Sequence, residues 1–208
     1  MRKTKTYLAL LMAAMMVGSS LAGCGLSSDG GNSNGKNDET TSDNQTADAD
    51  SYINCILNGE PSTLDIAKFT QVYDRTVMQN MLEPLTRVQD GKVVAAGAKE
   101  WTVSDDGLVY TFTLHDNHWS DGEADTAEDY LYALQREADP ANAWPMASDM
   151  YSIANFEDVF SGSADVSQLG VEAPDDKTLV ITLATPDSSF LSNVDLFPCR
   201  KDYVEQYG

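Results

Sequence analysis

Residues Leu108-Val-Tyr-Thr-Phe-Thr-Leu114 alternate strictly, with Leu108, Tyr110, Phe112 and Leu114 on one side and Val109, Thr111 and Thr113 on the other. A period of two marks a strand that buries one face. The turn signal Asp105-Asp106-Gly107 precedes it, and Trp101-Thr-Val103 stands before that turn, so the two stretches predict an antiparallel hairpin. The arrangement recurs twice. Asp90-Gly91 separates Arg87-Val88 from Val93-Val94 within Leu85–Ala95, and Pro174-Asp-Asp-Lys177 separates Val171-Glu-Ala173 from Thr178–Leu183. Between the hairpins the apolar spacing is helical. Residues Tyr73–Leu82 place Val77, Met78, Met81 and Leu82 on one side, and Pro84 ends the pattern. Thr126-Ala-Glu-Asp129 reads as an N-cap with an acid three residues on. Ala127, Tyr130, Leu131 and Leu134 then form an apolar face that should stop before Asp139-Pro140. Upstream, Tyr52–Leu57 reads as a buried strand closed by Asn58-Gly59-Glu60-Pro61. Hairpins interleaved with helices place the chain in the α+β class.

None of these patterns begins before residue 51. Arg2, Lys3 and Lys5 make a cationic start, Leu8–Val17 is a ten-residue apolar run, and Leu21-Ala-Gly-Cys24 closes the segment. A charged start, a short apolar run and small residues at the cut site describe an export signal. The run is about half of the roughly 20 residues a bilayer-crossing helix needs. Leu-Ala-Gly-Cys resembles the lipobox of bacterial lipoproteins, which implies cleavage after residue 23 and diacylation of Cys24. Residues 25–50 hold six acidic residues, one lysine and almost nothing apolar, so residues 24–50 read as a flexible acidic tether. Residues 51–208 are the folded part.

The whole chain carries 13 Lys+Arg against 33 Asp+Glu, a net charge of −20. That balance argues against a nucleic-acid partner, which needs basic residues to neutralise phosphates. It also argues against docking on anionic lipid by charge alone. Cys55 and Cys199 lie outside the leader; they could form one bridge or stand as two separate buried thiols. His115 and His118 have H-x-x-H spacing with no evident third ligand, and they read as surface histidines. Trp101 and Trp119 read as core anchors rather than ligand platforms, and Asp121 and Asp125 as local turn caps.

Five landmarks stand in order: Asn58-Gly-Glu-Pro-Ser-Thr-Leu-Asp65; Glu83-Pro-Leu-Thr-Arg87 with Asp90-Gly91; Ala98–Leu114; Trp119-Ser-Asp-Gly-Glu-Ala-Asp-Thr-Ala-Glu-Asp-Tyr130 with Asp139-Pro140; and Leu169–Leu183. Together they resemble the extracellular solute-binding proteins of oligopeptide and dipeptide ABC importers, solute-binding protein family 5, across residues 52–208. Trp-Ser-Asp-Gly followed by Thr-Ala-Glu-Asp is the most specific piece.

The resemblance implies the N-terminal part of a two-lobed, type II periplasmic-binding-protein-like fold, with a mixed sheet and antiparallel hairpins. Family members usually run beyond 500 residues, so the second lobe is missing from these 208 and the chain is expected to be a fragment. The implied function is capture of an extended oligopeptide or dipeptide, delivered to a membrane permease driven by an ATPase, with no cofactor and no catalysis. Main-chain hydrogen bonds would hold the peptide, so affinity comes from its backbone and selectivity from side-chain pockets. The resemblance places ligand contacts at Thr70, Gln71 and Val72, and at Met146, where peptide binders often carry a tyrosine.

A half-cleft open to water should bind peptides weakly or not at all, because its hydrogen bonds exchange with solvent. Unpaired sheet edges would also invite association. A surface hydrolase is the competing class. G-x-S-x-G, H-E-x-x-H and P-loop motifs are all lacking, although the many carboxylates could hold an acid–base pair. Binding of nickel or of signalling peptides by the same fold also stands open.

Overall fold

The computed structural model describes residues 54–193 and 195–207. The export signal, the tether and Cys24 lie outside the described residues. The three hairpins and two helices expected from the sequence map directly onto the structure. Helix α1 spans Val72–Met81, and strands β1 (Thr86–Gln89) and β2 (Lys92–Ala95) follow it. Asp90 and Gly91 take φ of 52° and 72°, the pair of positive values that matches a two-residue turn to the strand twist. Strands β3 (Ala98–Val103) and β4 (Val109–Leu114) form the second hairpin, and helix α2 (Ala127–Ala138) comes next. A 3₁₀ turn at Ala147–Met150 leads to the short helix α3 (Phe156–Phe160). Strands β5 (Val171–Asp175) and β6 (Thr178–Thr182) make the third hairpin, followed by short helices α4 (Phe190–Asn193) and α5 (Lys201–Tyr207).

The two later hairpins join into one sheet of order β3-β4-β6-β5, with every ladder antiparallel. Its centre is the β4–β6 pair, where Tyr110 faces Ile181 and Phe112 faces Leu179. Alternation along β4 buries Tyr110, Phe112 and Leu114, the side chains that the period of two selects. Helix α2 covers the core side with Ala127, Tyr130, Leu134 and Ala138. The Asp129 carboxylate accepts the Thr126 backbone N–H at 2.9 Å, closing the cap, and Asp139 before Pro140 is extended at ψ 120°. The outer strands are interrupted by register shifts, between Ala98 and Glu100 on β3 and between Glu172 and Asp175 around Pro174 on β5. Such bulges and a proline blunt an open edge.

Three expectations need correction. Asn54–Leu57 form no strand and are exposed, Ile56 at 96%; Tyr52 and Ile53 lie outside the described residues. An apolar run becomes a buried strand only when a ladder partner and a covering face exist, and no described strand pairs with it. On α1 the buried positions are Asp74 and Met78, whereas Met81 stays exposed. Finally, Cys55 and Cys199 are free thiols, Cys55 exposed and Cys199 half-buried, so neither the bridge nor a pair of buried thiols holds.

Candidate functional site

The loop before α1 is held as a rigid ledge by two carboxylates. Asp74, fully buried, accepts the Ser62 N–H at 2.8 Å, the Ser62 hydroxyl at 3.0 Å, the Gln71 N–H at 3.2 Å and the Thr70 N–H at 3.5 Å. Burial alone would raise its pKa, but these donors outweigh burial and hold the carboxyl below its ordinary value. Asp65 meets the guanidinium of Arg136 on α2 through two parallel bonds of 2.9 Å and also accepts the Ala67 N–H at 3.0 Å. Burial opposes the ionised form of Asp65; the Arg136 fork and the Ala67 N–H prevail and lower its pKa.

Thr70, Gln71 and Val72 sit at the start of α1 with exposed side chains, Val72 at 80%. Met146 lies half-buried against the main core, at the entrance to the 3₁₀ turn. The segments carrying these candidates meet where the Phe69 and Trp144 rings approach to 5.8 Å between centroids. Trp144 is buried, and its Nε1–H has no hydrogen-bond partner among the described residues. The neighbouring Ala143 takes a φ of 47°, a strained value for a residue with a Cβ. Sequence reasoning missed Asp74, Arg136 and Trp144. Asp74 alone had a local signal, an acid three residues after the helix cap.

A groove of about 590 Å³ runs beside the ledge, between Leu64–Ile66, the end of α1, the loop His118–Asp121 and the segment from Pro198 to Tyr207. Asp121 accepts the Glu123 N–H, as a turn cap should, and also binds Arg200 and Tyr203 from the last segment. Trp119 lines this groove rather than the core and donates its Nε1–H to Asp129 at 3.3 Å, whereas Trp101 packs on Phe112 in the main core.

Asp125 is not a turn cap. It is 7% exposed at the groove wall; its Oδ2 receives the Tyr130 hydroxyl at 3.4 Å and its Oδ1 has no partner among the described residues. Burial, reinforced by the negative charge of Asp129, pushes its pKa up to about 6. The two histidines are exposed, and among the described residues no group of three His, Cys, Asp or Glu could hold a metal ion.

The loop with its aromatic backing and the groove beside it are the candidate binding surface. The model of the bacterial extracellular solute-binding proteins, family 5 middle region, matches residues 92–203, and the chain belongs to that family. The dipeptide-binding protein of Lactococcus lactis is 37% identical over 152 residues, 71% of this chain and 28% of that protein. The periplasmic murein peptide-binding protein MppA of Escherichia coli is 36% identical over 156 residues, 72% of this chain and 29% of its own length. Among solved structures, OppA of Listeria monocytogenes bound to peptide superposes with a TM-score of 0.67 at 33% identity, covering 69% of this chain and 30% of that one. The chain thus spans less than a third of the length of each of these relatives. Their shared architecture is the type II binding-protein fold, of which the hairpin sheet and its helices are a part.

Proposed function

We propose that this chain is the substrate-binding component of an ABC importer and captures oligopeptides or dipeptides outside the cytoplasmic membrane. The observation that carries this reading is identity of 36–37%, across most of the folded part, to relatives named for dipeptides and murein peptides. Residues 1–23 act as the export signal, Cys24 carries the lipid, and residues 24–50 span the distance from the membrane to the binding domain. Residues 51–208 supply the N-terminal portion of that domain.

The reading is one of binding without catalysis. The ledge at residues 62–72 and the Trp144–Met146 segment form one wall for an extended peptide, and Thr70, Gln71, Val72 and Met146 lie on it. Main-chain contacts along such a wall accept many sequences. Met146 adapts to varied side chains through its flexible thioether. A permease and its ATPase take up the loaded form.

Native mass spectrometry of the protein extracted from its own membrane tests the proposal. The expected species begins at a lipid-modified Cys24 and carries a co-purified peptide. A species retaining residues 1–23 without lipid overturns the anchor, and a bound non-peptide solute overturns the substrate class.

A further inference from the structure

The carboxylate of Asp74 gathers donors from both ends of one loop. Ser62, twelve residues away, gives its N–H and its hydroxyl, and Thr70 and Gln71, four and three residues away, give their N–H groups. All of this happens at a residue with no solvent exposure. Backbone donors that point at a buried carboxylate cannot also point at a ligand. The Gln71 carbonyl is likewise engaged, by the Arg75 N–H at 3.2 Å in the first turn of α1. The Thr70 carbonyl receives no backbone N–H among the described residues. The loop therefore commits these three N–H groups to Asp74 and leaves acceptor capacity at the Thr70 carbonyl.

We propose that Asp74 is the positioning residue of the binding ledge: by drawing the N–H groups of Ser62, Thr70 and Gln71 to itself, it fixes residues 62–72 with the Thr70 carbonyl left to accept from a ligand. The ligand part of this inference rests on the peptide reading above. The matching ligand group is an N–H of an extended peptide, which a carbonyl can take and a second N–H cannot. Asp65 and Arg136 anchor the same loop to α2 by an independent pair, so loss of Asp74 should loosen the ledge without unfolding the sheet.

Hydrogen exchange on the full chain is the test, with Asp74→Asn as the main variant and tri-alanine as the ligand probe. The amide group presents a donor where the loop's own donors converge. The Ser62 and Gln71 amides should therefore exchange at least about tenfold faster, in line with loss of charge-assisted bonds. Amides of β4 and β6 should keep their wild-type rates, and tri-alanine affinity should fall at least about tenfold. Equal acceleration in the sheet, or unchanged rates at Ser62 and Gln71, overturns the positioning role. Should Asp74→Asn fail to fold, Ser62→Ala removes one bond only and is expected to speed exchange at Gln71 by a smaller factor; no change there also overturns it. If the wild-type chain shows no affinity for tri-alanine, binding of peptide by this ledge alone is overturned, while the exchange rates at Ser62 and Gln71 still decide whether Asp74 holds the ledge.

Discussion

Asp125 is the side chain whose surroundings least suit its charge. Its Oδ1 is buried without a partner, Asp129 and Glu83 add negative potential, and Lys177 reaches its backbone carbonyl at 3.2 Å. A carboxyl whose pKa is raised from 3.8 to about 6 by folding favours the folded state while it is protonated in that state. That contribution is complete below the unfolded pKa and is lost as pH rises through about 6. Asp125→Asn keeps the shape and removes the titration. Measured by melting, the variant should gain on the wild type by roughly 5–10 °C between pH 4 and pH 7, from about 2–3 kcal/mol of linkage at about 2–4 °C per kcal/mol for a chain of this size. A constant difference across that range would contradict the assignment. Asp65 runs the opposite way, because its lowered pKa supplies stability that disappears as pH falls through the folded value. Neither behaviour was legible in the sequence. Asp125 stands in a run of turn-like residues, and only the packing of α2 above it makes it a buried acid. Asp65 and Arg136 are 71 positions apart, and nothing local announces that they meet.

The hairpins and α2 were legible because their determinants are short-range. Turn residues, a period of two along β4, and Thr126 with Asp129 all act within a few positions. The Tyr52–Leu57 stretch misled for the complementary reason, since an apolar run says nothing about whether a partner strand stands beside it. Met81 misled in the same way: its spacing fits the apolar face of α1, but the core touches that helix at Asp74 and Met78. Close packing between elements is equally silent. At Gly170 an added Cβ would lie 2.8 Å from both the Thr182 carbonyl oxygen and the Ala154 Cβ, so β5 enters its ladder only because no side chain is there. Gly170→Ala should cost about 1–3 kcal/mol in denaturant unfolding, as overpacked sites do. A neutral result would mean that the β5–α3 junction relaxes freely.

At the scale of the whole molecule, stability centres on the β4–β6 face and the helix above it. Phe112 is fully buried and touches Trp101 and Tyr110 as well as facing Leu179 across the ladder. Phe112→Ala should cost about 3–5 kcal/mol, read as a lowered denaturant midpoint with an unchanged slope. Apolar surface open to water gathers at the groove, where Leu64, Met81, Tyr203 and Tyr207 line the wall and are exposed. Self-association in sedimentation should therefore fall on Met81→Lys with Tyr207→Lys and should not respond to Val103→Lys on the blunted edge strand β3. The sheet order has one further effect, on the route to the native state. β3 meets β4 and β5 meets β6 across short turns, closures that take about 1–10 microseconds in isolated hairpins. β4 meets β6 only after everything between Leu114 and Thr178 has folded back, and the entropy of closing a loop grows with its length. Until that last ladder forms, each hairpin shows one long unguarded edge, so the hazard of strand exchange between chains belongs to a brief interval of folding and not to the finished sheet.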